Sequence, residues 1–318
     1  AIRERQAVLA SDLLATLPGV GVTRNGGPGT ATLLRVRGAE SDHTLVLIDG
    51  VQINDPASPG GGFDFSNLLV GDTDRIEVLR GSQSTLYGSQ AIGGVVNVVS
   101  TPVGEQPEAR LLAEYGSMNS SLMKAGLGGR LDRLSARVAA AWYRTDGIST
   151  AAEGIEDDGF RNTTFSAQLG YELTDAVGLD LRGYYADGKS NYDGFPPPDY
   201  TFGDSGDYSR TRQLVGYAGL NFALAGGRLK NRIAYQYTDA DRELYSGAIG
   251  EVFPAGTWDG SNQRYEYQGH WNIASGYGAV FGLQRETSDM HSEAAPQFAE
   301  TRMDSAYLQL QGEVLELA

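Results

Sequence analysis

From Ala109 to the end of the chain, apolar and polar residues change places at almost every step. Phe165, Ala167, Leu169, Tyr171 and Leu173 alternate with Ser166, Gln168, Gly170 and Glu172. Val177, Leu179, Leu181 and Tyr185 alternate with Asp180, Arg182 and Tyr184; Ile233, Tyr235 and Tyr237 with Arg232, Gln236 and Thr238; Leu308, Leu310 and Val314 with Gln309, Gln311 and Glu313. A period of two puts successive side chains on opposite faces of an extended strand, which no helix can do. About ten such runs follow one another, each of roughly the nine to eleven residues or more that a tilted strand needs to cross a bilayer. Short turns are expected around Gly129, Asp175, Gly226 and Ser275, and long polar segments at 145–161, 188–207, 239–262 and 289–301. Alternating short and long connections put tight turns on one rim and large loops on the other, the asymmetry of a transmembrane antiparallel β-barrel rather than of a water-soluble one.

A mean hydropathy of -0.30 does not oppose this reading, because only alternate residues of such a strand face lipid. No run of 18 or more apolar residues is present, so no transmembrane helix is expected. With 25 Lys and Arg against 40 Asp and Glu, the net charge of -15 argues against nucleic acid as a partner. Cysteine is absent, which removes disulfides and thiol chemistry. The three histidines, His43, His270 and His291, stand in no metal-binding or catalytic spacing, and no enzyme is expected. Seventeen tyrosines, many near strand ends, suit the headgroup boundary, although tyrosine favours any sheet.

Residues 1–104 read differently, as a small mixed α+β unit. Ile2, Leu9, Leu13, Leu14 and Leu17 predict one amphipathic helix ended by Pro18 and Gly19. TLLRVRG (32–38), HTLVLIDG (43–50), Arg75–Leu79 and Val95–Val99 predict four short strands with little room for a deep core. Between the last two lies a Gly/Ser/Gln-rich segment whose glycines permit tight turns and close backbone approach. It is no phosphate cradle, since no G-x-x-x-x-G-K-[ST] run and no following helix pattern accompany it.

DRIEVLRG followed by STLYGSQAIGGVVNVVS, with LVLIDGVQIND (45–55) and LPGVGVTRNGG (17–27) upstream, resembles the plug domain of TonB-dependent outer-membrane receptors, and within that family the cobalamin receptors. The resemblance implies a plug over 1–104 and, over 105–318, the first ten or so strands of a barrel of 22. Simple geometry agrees: ten strands would close to a diameter of about 20 Å, whereas a plug of this size is roughly 33 Å wide and some 22 strands give about 44 Å.

Further expectations rest on the same resemblance. The protein would sit in the outer membrane of a Gram-negative bacterium, its wall in the lipid bilayer, importing cobalamin or another scarce chelate such as a ferric siderophore. A TonB-type protein would supply the energy through a segment upstream of Ala1. Asn54, Asp55, Ser58 and Gly60, in the polar loop 50–66, are expected to touch ligand. Asp187, Asp193, Asp239 and Asp241 are expected to bind a loop-ordering Ca²⁺, with Asp199, Asp204 and Asp207 nearby. Arg37 and Arg80 are expected to pair with carboxylates of the wall. A passive pore or adhesin would have no use for a folded stopper.

Overall fold

The computed structural model describes residues 2–312 apart from 153 and 294; the last part of the final alternating run, through Glu313 and Val314, lies outside the described residues. The N-terminal unit holds a short helix α1 (Ala10–Leu14) and strands β1 (Val20–Arg24), β2 (Thr32–Val36), β3 (Thr44–Ile48), β4 (Val51–Gln52), β5 (Thr73–Arg80) and β6 (Gly94–Ser100), with a one-turn helix α2 (Ser84–Tyr87) before β6. The helix is far shorter than the leucine spacing predicts. Val8 and Leu9 instead run extended beside Leu69 and Val70: Val70 N–H donates to Val8 C=O (2.8 Å) and Ala10 N–H to Leu68 C=O (2.9 Å). The strand β1 is not anticipated by the sequence reading; it pairs with β2 in a separate two-stranded sheet.

The other four strands lie in the order β4-β3-β6-β5, with β3 and β6 parallel. All five residues of β3 are buried, and Leu14, Leu34, Val36, Val46, Ile53, Phe65 and Val96 close a well-formed core. The unit is thus better packed than four short strands suggest, because Val215, Tyr184 and Tyr217 of the larger sheet complete its covering. Gly94 shows why β6 must begin with glycine: a Cβ there would stand 2.5 Å from the Leu79 carbonyl oxygen.

Ten antiparallel strands follow in sequence order: β7 (Glu108–Tyr115), β8 (Ser121–Leu131), β9 (Leu134–Thr145), β10 (Phe160–Thr174), β11 (Val177–Asn191), β12 (Tyr208–Leu224), β13 (Leu229–Ala248), β14 (Glu251–Ala274), β15 (Tyr277–Ser292) and β16 (Ala295–Gly312). The period-two reading thus gives both the strand count and the up-and-down order. On the outward face Leu127, Val138, Phe165, Ile233, Leu283 and Leu308 are each more than half exposed. So much apolar surface suits lipid and not water. The inward face carries Arg137, Gln168, Arg182, Gln236, Arg242 and Arg264, several of them bonded to the N-terminal unit or to one another.

Two of the four long connections are corrected. Segments 146–159 and 192–207 are loops, but 239–262 and 289–301 are mostly strand. The ladder between β13 and β14 continues through Asp239↔Ser261 and Asp241↔Asp259 to Ala248↔Glu251. Polar residues there are compatible with strands because they find partners on the plug and across the ladders, Arg242 with Asp55, Tyr237 Oη with Asp239 and Ser261 Oγ with Asp289 (3.4 Å).

The N-terminal unit lies against the inward face, and the wall holds it by bonds to its side chains and by donating to its backbone carbonyls. Gln213 Nε2 donates to Ile53 C=O (3.1 Å), Gln236 Nε2 to Gln52 C=O (2.5 Å), Asn162 Nδ2 to Asn67 C=O (3.0 Å), Ser190 Oγ to Pro28 C=O (3.1 Å), and Arg182 to Asp49 C=O. Near the short-turn rim Arg137, almost fully buried, forks onto Asp72 and reaches Glu108 (3.1 Å). Ion pairing across the contact thus has the opposite polarity to the expected one, with arginine on the wall and carboxylate on the plug. Arg37 and Arg80 are exposed and form no ion pair among the described residues.

Candidate ligand-facing site

The long-loop rim gathers three segments: the plug loop after β4, the loop 146–159 and the loop 192–207. The plug loop is built from within. Phe63 and Phe65 meet edge to face at 5.0 Å and root it in the core. Asn54 is buried; its Nδ2 donates to Gly61 C=O (2.9 Å) and its Oδ1 accepts from Val46 N–H (3.5 Å), tying the loop's apex to β3. Asp55 is also buried, with Oδ1 accepting from Ala57 N–H (2.9 Å) and Oδ2 paired with Arg242 of β13 (2.8 Å). Burial pushes the Asp55 carboxyl above its ordinary value, and Arg242 opposes that shift without cancelling it. Asp64 completes the joint: Oδ1 accepts from Thr32 N–H and Ser66 N–H, both at 2.9 Å, while Oδ2 lies 3.6 Å from Arg242.

Of the four candidate ligand residues, Asn54 therefore spends its polar groups within the plug, and Asp55 divides its carboxylate between the loop and Arg242 of the wall. Ser58 is half-buried and Gly60, with φ of 82°, is exposed at the apex. Sequence reasoning missed Arg242 and Asp64. Arg242 was legible in principle, since it shares the inward parity of Gln236 and Thr238 along β13.

The acidic residues separate into two groups. Asp187, Asp239 and Asp241 lie on β11 and β13 with outward parity, where Tyr185 Oη donates to Asp187 (3.4 Å), Tyr237 Oη to Asp239 (3.1 Å), and Arg212 stands 3.8 Å from Asp241. They do not meet Asp193. Asp193 instead joins Glu156 and Asp158 of the first long loop, with one carboxylate oxygen from each within 4.8 Å of the others. Asp204 borders them: Ser149 Oγ bridges Asp193 (3.0 Å) and Asp204 (3.2 Å), and Ala151 N–H donates to Asp193 (2.6 Å). Asp207 accepts from Gly247 N–H (2.8 Å) and ties the second loop to the β13–β14 hairpin, while Asp199 is exposed.

Two oxygens of this cluster, Glu156 Oε1 and Asp158 Oδ1, are buried and have no hydrogen-bond donor. Burial and the neighbouring Asp158, Asp193 and Asp204 push the Glu156 carboxyl up to about 7. Hard oxygen donors converging without a cationic side chain are chemically suited to a divalent ion such as Ca²⁺. The signal missed in the sequence was IEDDG at 155–159, an acidic run in the other long loop. At the tip of 192–207 Phe195 and Phe202, both exposed, meet at 5.6 Å.

Comparison with known proteins places this geometry. The TonB-dependent Receptor Plug Domain family model matches residues 1–95. The vitamin B12 transporter BtuB of Photobacterium profundum is 31% identical over 308 residues, which is 96% of this chain and 48% of that protein. The chain belongs to the TonB-dependent receptors. Among solved structures, the siderophore receptor PirA from Acinetobacter baumannii superposes with a TM-score of 0.73 at 19% identity, covering 95% of this chain and 51% of that one. The ferric enterobactin receptor PfeA from Pseudomonas aeruginosa does so with a TM-score of 0.76 at 17% identity, covering 99% and 54%. At those identities the likeness is one of fold. The chain spans about half the length of these relatives, and its ten strands form part of a barrel wall carrying the plug of a Gram-negative outer-membrane receptor. The named relatives are transporters and receptors, not enzymes.

Proposed function

We propose that the receptor containing this chain is an active importer that captures cobalamin at the long-loop rim and is opened by a TonB-type protein. The observation that carries the reading is a plug seated in the wall interior with its polar loop held against β13 and β14, at the rim that also bears the two long wall loops. Ser58 and Gly60 present hydroxyl and backbone groups to the ligand, Asn54 and Asp55 hold the loop that carries them, and the exposed Phe195 and Phe202 add an apolar face. The resemblance to a vitamin B12 transporter favours cobalamin over a ferric siderophore.

Glu156, Asp158 and Asp193, with Asp204 beside them, would hold a Ca²⁺ that fixes the two wall loops to each other, so that ligand capture no longer carries the cost of ordering them. Proton and cation compete at Glu156, so calcium binding strengthens between about pH 6 and about pH 8.

Calorimetric titration of the receptor with Ca²⁺ and then cobalamin tests both parts. Calcium is expected to raise cobalamin affinity, and Asp158→Asn with Asp193→Asn to abolish that rise. Asn54→Ala with Ser58→Ala is expected to weaken cobalamin about tenfold. Equal affinity in calcium and in chelator would remove the linkage. Binding of a ferric siderophore in place of cobalamin would change the substrate while leaving the site.

A further inference from the structure

Four cations stand side by side on the outward face of the wall: Arg144 of β9 is directly opposite Arg161 of β10, Arg161 opposite Lys189 of β11, and Lys189 opposite Arg210 of β12. Like charges directly across a ladder repel, so three consecutive such pairs are unfavourable in the protein alone. The nearby acids relieve little of this. Arg144 is 3.1 Å from Asp146, and Asp157 borders the same open groove of about 490 Å³. Glu243, opposite Arg210 on β13, leans to Arg212 (3.7 Å), and Asp187 lies one pair nearer the membrane, opposite Arg212. Among the described residues Arg161, Lys189 and Arg210 form no ion pair, and Lys189 Nζ rests 3.8 Å above the Tyr208 ring.

We propose that this row is a binding site for the phosphates of a phosphorylated lipid of the outer leaflet. It rests on the long-loop rim being the outer one. The row occupies the ends of β9 and β11 and the starts of β10 and β12, all at that rim. On the same outward face, further along these strands, lie Ala140, Phe165, Tyr185 and Leu214, mutually opposite and apolar or aromatic. A molecule that satisfies both bands carries anionic phosphates above and acyl chains below. At the usual strand spacing the row extends about 14 Å, room for a headgroup with two phosphates. Arginine forks onto phosphate oxygens in two parallel hydrogen bonds, and the lysine contributes a point charge.

The test is native mass spectrometry of the detergent-solubilised receptor titrated with diphosphoryl lipid A, monophosphoryl lipid A and inorganic pyrophosphate. Arg161→Gln with Arg210→Gln, both exposed positions, is expected to weaken diphosphoryl lipid A about thirtyfold. Arg161→Lys with Arg210→Lys restores most of it, monophosphoryl lipid A binds more weakly than the diphosphoryl form, and cobalamin affinity stays unchanged in every variant. Unchanged lipid affinity in the glutamine variant would overturn the site. Pyrophosphate binding as tightly as the lipid would overturn the lipid assignment, and neither outcome bears on cobalamin import.

Discussion

Burial sets the terms on which Asp55 and Arg242 meet. A carboxylate taken out of water loses hydration that a single partner returns only in part, which is why the Asp55 carboxyl sits above its usual value despite an arginine at 2.8 Å. The folded protein therefore holds that proton more tightly than the unfolded chain, and stability falls as pH rises from the unfolded carboxylate value through the raised folded one. Arg242→Met should cost about 3 kcal/mol or more and extend that fall to higher pH, because the buried charge loses its counter-ion. Asp55→Asn, which keeps the shape and the turn to Ala57, should cost much less and should rescue Arg242→Met. Thermal unfolding of the receptor at several pH values checks this; a rescue that fails would mean that Arg242 acts through Asp64. Single residues were also where the sequence was least informative. Asn54 and Asp55 looked like ligand contacts because they are polar and lie in a Gly/Pro-rich loop, but polarity alone does not say which way a side chain turns.

At the scale of elements, close approach of wall to plug is written in a few glycines. A Cβ on Gly260 of β14 would stand 2.5 to 2.6 Å from backbone atoms of Pro56 and Ala57, and backbone cannot swing aside as a side-chain tip can. Gly260→Val should therefore lift the plug loop from the wall, with little effect on the ladder that β14 makes with β13 and β15. The measurement is limited proteolysis within residues 54–67, which should become faster; unchanged cleavage would mean that the strand yields instead. The strands themselves were legible because alternation is a local property that survives any tertiary arrangement. Where the sequence misled, the cause was physical. The polar stretches 239–262 and 289–301 read as loops because polar residues stand on both faces there, paired with the plug or with cross-strand neighbours, so the apolar-polar alternation is lost. The helix around Leu13 shrank because Val8 and Leu9 gained a β-bridge from Leu69, a partner some sixty residues away.

Across the whole molecule, the plug contact combines two charge clusters, at Arg137 and at Arg242, with dispersed weak bonds. Arg137 is nearly inaccessible and holds both Asp72 of the plug and Glu108 of the wall. Arg137→Met leaves those two carboxylates close together without their cation, and the plug should loosen at the short-turn rim. Ion conductance of the receptor in planar bilayers should rise, and conductance equal to the unaltered receptor would show that the rim is sealed by other contacts. Arg242 on Asp55 and Asp64 is a second charged contact, and five further wall contacts fall on Pro28, Asp49, Gln52, Ile53 and Asn67 at their carbonyl oxygens, groups that every residue carries and that water serves equally well. A bond of that kind is exchanged rather than lost when a surface slides away, since a water molecule takes the donor's place at nearly the same free energy. That part of the interface therefore behaves as a wetted bearing: tight at rest, with low friction once Arg137 and Arg242 let go.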